Sequence, residues 1–338
     1  MTVEEHCWRT QRGGQRLRPF CQRAKIRPRQ CSLRVQRALV DFGLEDSFAK
    51  AGARFAEHYG WSISISVLRH WTLQHARQSP KTRIAPLSAP AETLITGLDG
   101  SMIPIVSPSL TGDGRQNKTL SWREVRVAFA RRKEDVTARY GATLEDAFGA
   151  GLMWRETAQC AGLQGHTAVH ALGDGAPYIV EQCDRQFGEQ GTFLVDLHHV
   201  ADYLSAASAR CAPGAATAWF EEQKELLKQN RIAEVLADLK AHFEKEEKDQ
   251  DGKLPPVRQA YRYIEERKGW MDYRTALEAG LPIGSGEVES AHRHIVQARL
   301  KKAGAWWREN NAQALLQMRT LRANGQWEAY WQQIPHLN

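Results

Sequence analysis

From Cys31 to about Gln78, apolar positions recur every three or four residues. In "SLRVQRALVDFG", "EDSFAKAGARFAEHYG" and "SISISVLRHWTLQHA" this spacing predicts three helices, the second with Phe48, Ala51, Phe55 and Tyr59 on one side. Residues 79–91, "SPKTRIAPLSAPA", carry the turn formers of a linker. Beyond them the period shortens to two. "ETLITGLDGSMIPIV" predicts two short strands around a turn at Asp99-Gly100. "LSWREVRVAFARR" predicts a half-exposed strand, with Val125, Val127 and Phe129 on one face and Glu124, Arg126 and Ala128 on the other. The three strands together make a meander. A helical span over about 143–162 follows, then a buried-type strand at 167–172 that stops at Gly173-Asp174-Gly175 and feeds a helix near Pro177. "GTFLVDLHHVADYL" repeats that design, with an apolar strand at 192–195, Asp196 at its end and a helix after it. Residues 216–275 read as helical and strongly charged, and the final segment as an amphipathic helix with Leu315, Met318 and Leu321 on one side.

Strands that end in an acid and feed a helix are α/β units, whose chemistry gathers at the carboxyl ends of the strands. Five segments are expected: a basic arm at 1–30, a helical, helix-turn-helix-like DNA-binding domain at 31–85, an α/β core at 86–210, a helical insertion at 211–275, and the closing core helices at 276–338. Two helices joined by a short Gly-containing turn suit major-groove reading, as they suit any small three-helix unit.

Charge adds a partner class. The formal net charge is +7, which tilts the chain toward polyanions. The excess is uneven: ten basic residues and no acid stand between Arg9 and Arg37. Such a run fits a nucleic-acid-facing arm or a solvated tail. The six cysteines never form a C-x-x-C pair, which leaves a zinc ribbon without support and makes free thiols in a reducing cytoplasm the expectation. No apolar run reaches the roughly 18 residues of a membrane span, and a cytoplasmic, nucleoid-associated protein is expected.

Candidate chemistry lies in three acids: Asp99 at the end of the first strand, Asp174 at the end of a later one, and Glu289 in the first turns of a late helix. Each has an ordinary explanation, as a hairpin turn, a strand-to-helix loop and a helix-start acid. Taken together, a meander, parallel strands and a final helix bearing a carboxylate follow the order of the ribonuclease-H-like fold, a mixed sheet here carrying a helical insertion. Three carboxylates in one pocket repel unless divalent cations neutralise them, and two Mg2+ (or Mn2+) ions would do so while activating a water or a 3′-hydroxyl. The acidic start of "LPIGSGEVESAHRHIVQARLKKAGAWW" would hold a ligand, and Arg293, Arg299, Lys301 and Lys302 would grip phosphates farther along, with Arg69 from the early helices. Glu287 competes with Glu289 for the third role, because two residues apart on a helix the pair point in different directions. Trp306 and Trp307 suit either core packing or stacking on unpaired bases.

At these residues the chain resembles the ISKra group of bacterial insertion-sequence transposases, within the DDE superfamily and akin to the mutator-type enzymes. "IGSGEVESAHRHIVQARLKKAGAWW", "GDGAPYIVEQCDRQF", "FLVDLHHVADYL" and the early "RPFCQRAKI" carry the likeness, which runs from about Arg18 to Trp331. The resemblance implies Asp99, Asp174 and Glu289 as the catalytic and metal-binding triad. It places Asp196 and His198 near the site as second-tier residues, where related enzymes keep an acid or cysteine followed by a histidine; helix capping is a comparable explanation for Asp196. It implies binding of terminal inverted repeats, metal-dependent strand cleavage and strand transfer to target DNA, and a homo-oligomer when two ends are held together. Relatives often carry upstream cysteine-rich sequence, so the alternative expectation is a shortened, catalytically inactive transposase remnant acting as a DNA-binding repressor.

Overall fold

The computed structural model describes residues 7–9, 16–23, 31–79, 90–108, 118–245 and 252–334. The expected linker lies almost wholly outside the described residues, as does much of the basic arm. What is described of the arm forms two short paired strands, β1 (Trp8–Arg9) and β2 (Arg16–Leu17), and a single-turn helix α1 (Pro19–Arg23).

The three predicted early helices are α2 (Leu33–Glu45), α3 (Phe48–Tyr59) and α4 (Ile65–Gln78). Each starts on a serine, at 32, 47 and 64, whose hydroxyl accepts a backbone N–H three residues on, and α3 stops at Gly60 in the left-handed conformation. Gly43 lets α2 and α4 touch, since a Cβ there would meet the Thr72 hydroxyl.

The sheet has five strands in the order β5-β4-β3-β6-β7. They are β3 (Thr93–Pro108), β4 (Lys118–Arg132), β5 (Arg139–Thr143), β6 (Ala168–Gly173) and β7 (Gly191–Val195). Strands β3, β6 and β7 run parallel, while β4 pairs antiparallel with both β3 and β5. This is a mixed α/β protein with a meander of β3, β4 and β5, built differently from the expectation. Asp99-Gly100 is no turn: β3 runs through it, with Asp99 opposite Val127 and Gly100 opposite Arg126. The long β4 offers a continuous ladder to both predicted half-strands, and an uninterrupted ladder outweighs the turn preference of a dipeptide. Nor is β4 half-exposed throughout. Ala128 and Ala130 are buried as fully as Val127 and Phe129, because both faces of the central sheet are covered.

The connecting helices are α5 (Ala147–Cys160), α6 (Pro177–Phe187) and α7 (Leu197–Cys211), followed by α8 (Ala216–Lys228), α9 (Ile232–Ala241), α10 (Pro256–Arg267) and α11 (Tyr273–Glu278). Leu227, Val235, Leu239, Val257 and Ile264 of the charged helical block join the core under β3, β6 and β7, and Tyr263 stacks on Tyr203 of α7 with ring centroids 4.2 Å apart.

The chain closes with α12 (Gly286–Ala291), a π-helical stretch at His292–Gln297, α13 (Ala298–Leu300), α14 (Glu309–Ala323) and α15 (Trp327–Gln333). These pack against the other side of the sheet. They share one core with Val40 and Leu44 of α2, Leu73 and Ala76 of α4, and Ile103, Ile105, Val125 and Val127 of β3 and β4. The early helices thus complete the core that the last helices begin. Among the described residues no helix is long and apolar enough to cross a membrane, and all six cysteines are free thiols.

Candidate active site

Asp99 lies two residues past the last β3–β6 pair, Gly97 opposite Leu172, so it is nearly level with Asp174, the first residue after β6. Asp196 stands in the same position after β7. Asp174 and Asp196 thus stand just past the carboxyl ends of β6 and β7, where open α/β sheets place their chemistry, and Asp99, in the middle of the longer β3, lies level with them on the neighbouring strand. In the alternation along β3, Asp99 shares a face with Ile103 and Ile105, the face that the closing helices cover.

The Asp99 carboxylate is only partly exposed, and the Gly100 N–H donates to its Oδ1 at 2.7 Å. His292 Nε2 sits 3.3 Å from its Oδ2 and 3.1 Å from its carbonyl oxygen. Burial pushes the Asp99 carboxyl above its ordinary range; His292 and the Gly100 N–H oppose this, the negative charge of Asp174 adds to it, and His199 opposes it. Burial pushes His292 the other way, toward the neutral ring, and its Nδ1 has no hydrogen-bond partner.

Asp174 is held by its loop. Its Oδ1 accepts the Ala176 N–H at 2.8 Å, and its carbonyl accepts the Tyr263 hydroxyl from α10. Gly175 has a φ of +73°, and a Cβ on it would lie 2.8 Å from Arg267 Cδ, so only glycine fits between Asp174 and the helical block.

Asp196 is buried, and its partners explain the glycine-rich motif. Oδ1 accepts the His198 N–H at 2.7 Å, capping α7; Oδ2 accepts the Ser285 N–H at 2.8 Å and the Ser285 hydroxyl. The Leu197 N–H also donates to the Ile283 carbonyl at 2.9 Å. A Cβ on Gly284 would lie 2.7 Å from the His198 ring, so the loop approaches β7 as closely as it does only because residue 284 has no side chain. Asp196 thereby ties the loop before α12 to the edge of the sheet and aims that helix at Asp99.

The third carboxylate is not assembled with the two aspartates. Glu289 is 75% exposed, with Oε1 3.6 Å from Arg293 Nη2. Glu287 pairs with Arg131 of β4, which lies opposite Ile95 and thus four residues back along β3 from Asp99. The two acids do point in different directions, and neither points at Asp99. What reaches Asp99 from this helix is His292, which is buried on the face of Val288, four residues before it, and not on that of Glu289. Among the described residues no group of three or more His, Cys, Asp or Glu side chains is arranged to hold a metal ion. Two hard oxygen donors level with each other on adjacent strands, one of them disfavoured as an anion by burial and by the other, still suit a divalent cation.

The expected phosphate grips divide. Arg293 is 70% exposed and Lys301 and Arg69 are exposed, whereas Lys302 pairs with Asp46 at 3.0 Å. Arg299 is 2% exposed: its Nε donates to the Gly43 carbonyl at 3.0 Å, and its guanidinium lies between the rings of Phe48 and Trp307. Residue 299 falls on the inward face that also carries Val288, His292 and Ile295. Of the two tryptophans, Trp307 is buried against β3 and Trp306 is 59% exposed. Sequence reasoning passed over His199 and His292. The signal for His292 was its place four residues after the apolar Val288; for His199, only its adjacency to His198.

Residues 163–332 match the Uncharacterised protein family (UPF0236). No curated protein matches the chain. Among solved structures, one similar to it is the Drosophila P element transposase strand transfer complex, at 8% identity over 93% of this chain and 83% of that one, with a TM-score of 0.34. Another is NurA with manganese, at 14% identity over 79% of this chain and 64% of that one, with a TM-score of 0.12. The family match takes in β6, β7, the helical block and every closing helix, half of the sequence and most of the site, and by it the chain belongs to the uncharacterised protein family UPF0236.

Proposed function

We propose that this chain is a DNA transposase of the DDE type, with a ribonuclease-H-like core, cutting DNA strands at the ends of an insertion sequence and joining them to a target. The observation that carries the reading is the level placement of Asp99, within β3, and Asp174, at the carboxyl end of the adjacent parallel strand β6, beside a helical segment that bears Glu289 and exposed Arg293. The resemblance of "IGSGEVESAHRHIVQARLKKAGAWW" and its companion segments to ISKra-group transposases supports it.

Asp99 and Asp174 would hold the divalent cation, and Glu289 would complete the set after leaving Arg293; an ion pair exposed on both sides costs at most about 1 kcal/mol to break. The bound ion supplies charge for the attacking and leaving oxygens of phosphodiester transfer. The chain's own residues do the rest. His292 fixes the Asp99 carboxylate, Asp196 holds the loop that positions α12, and Arg293, Lys301 and Arg69 offer exposed cations to phosphates. The outward Glu289 is the observation that favours the second reading, a DNA-binding remnant without cleavage.

Purified protein, a labelled transposon end and Mg2+ separate the two. The proposal expects nicking that falls by at least about a hundredfold in Asp99→Ala, Asp174→Ala and Glu289→Gln. Unchanged nicking in Asp99→Ala would refute the site, and end binding with no metal-dependent cleavage by the wild-type chain would establish the remnant.

A further inference from the structure

A cavity of about 600 Å3 opens between α4, the outer ends of β3 and β4, and the segment 304–308. Val106 in its wall lies seven residues beyond Asp99, about 23 Å along an extended strand, so it is a separate place from the aspartates. Trp307 builds its floor: the Val106 N–H donates to the Trp307 carbonyl at 2.7 Å, and Ile105 and Trp307 form a parallel bridge that extends the sheet beside β3.

Among the described residues the charged lining is of one sign: Arg69, Lys118, Arg299 and Arg308 contribute to it, and no carboxylate does. Among the described residues Arg69, Lys118 and Arg308 have no ion-pair partner. Arg299 forms part of the wall from inside the protein; although it is 2% exposed, its Nη2 has no hydrogen-bond partner among the described residues. A buried guanidinium with an unused donor is costly unless an anion completes it. Beside these cations stands the exposed indole of Trp306. Cations that track a backbone, next to an aromatic face that accepts any base, make the arrangement that holds single-stranded nucleic acid. The volume is that of a small-ligand site rather than of a duplex groove.

We propose that this cavity takes one unpaired nucleotide of a DNA strand, its base on Trp306 and its phosphates on Lys118 and Arg308. The proposal rests on the reading of the chain as a DNA enzyme, and adds that the strand it engages is locally unpaired well away from the cleavage site.

The test uses the full chain and a single-stranded 12-nucleotide oligodeoxynucleotide with one 2-aminopurine, followed by anisotropy and by 2-aminopurine emission. Binding should quench the emission. Trp306→Ala should weaken binding by roughly tenfold or more and abolish the quenching, while Trp306→Phe keeps most of both. Lys118→Ala and Arg308→Ala should each lower the slope of log affinity against log salt by about one. Equal affinity and quenching in wild type and Trp306→Ala would overturn the proposal. So would displacement of the oligonucleotide by a glutamate decapeptide at matched charge, which would make the cavity a site for acidic peptide. Nicking of duplex ends by wild type sorts the remaining cases. Trp306-dependent binding without nicking leaves the cavity standing and removes the transposase reading; nicking with Trp306-independent binding does the reverse.

Discussion

Histidine 75 shows how much one residue carries in this fold. Its ring is buried, with Nδ1 2.9 Å from the Tyr330 hydroxyl and Nε2 2.9 Å from Gln36 Oε1, so it joins α4 to α15 and α2. Burial lowers its pKa from the ordinary 6.5 to about 4. Between those values the unfolded chain takes up a proton that the native ring does not, so stability falls as pH drops from 6.5 toward 4. The total is about 3 kcal/mol, at 1.36 kcal/mol per pH unit. Denaturant titrations at pH 7 and pH 4 should show this loss in the wild type and lack it in His75→Gln; the same loss in both would place its origin elsewhere. Asp196 acts at the same scale. Replacing it with alanine strands the buried Ser285 N–H and hydroxyl, which should cost about 1–3 kcal/mol and loosen α12. Hydrogen exchange at 285–291 is the measurement, and unchanged protection there would exclude the positioning role. None of this was visible in the chain: "GSG" announced a tight loop, but its carboxylate partner lies 89 residues away.

At the scale of elements, the central contact is the close packing of β3 on its neighbours. Gly97 has Leu172 O 2.9 Å and the Phe129 ring 2.6 Å from where a Cβ would lie, the first a backbone atom that cannot move aside. Gly97→Ala should therefore cost about 1–3 kcal/mol through strain across β3, β4 and β6. A thermal melt within a degree of wild type would contradict that packing. Strands and helices with a clean period were legible beforehand: the three early helices, β6, β7 and the helix after each. Strand β5 was not. Its five residues lack an apolar alternation of their own and form a strand because β4 presents an open edge to them. Asp99-Gly100 misled for the related reason that turn chemistry is local, whereas pairing with a 15-residue partner is not.

For the whole molecule, the early helices and the closing helices stand or fall together. Besides the shared core, Arg319 donates to the carbonyls of Leu44, Ile295 and His294 from a buried position, and Arg37 and Arg322 pair with Glu328 and Asp41. A fragment of residues 31–79 should show no cooperative melt alone, and the full chain should lose α2–α4 in the same calorimetric transition as α14. A separate early transition would show two folding units. The charge pattern alone predicted polyanion binding, and of the cations it named Arg69, Arg293 and Lys301 are exposed. It could not tell that Arg299 turns inward and Lys302 is engaged by Asp46, because those fates depend on a helix some 250 residues earlier.

The sequence by itself determined the mixed α/β class of structure and where the acids stand relative to its strands and helices. Apolar period sets which segments are helix or strand, and an acid after an apolar strand marks the carboxyl edge of a parallel sheet. Tertiary structure alone decided which acids meet. Asp99 and Asp174 come together through strand order, Asp196 is drawn into holding a loop, Glu287 is taken by Arg131, and Glu289 is left beside solvent with His292 in contact with Asp99. The physical reason is that period is a property of neighbours along the chain, whereas a carboxylate's role depends on distance, burial and the charge opposite it, all of which come from segments far away in sequence.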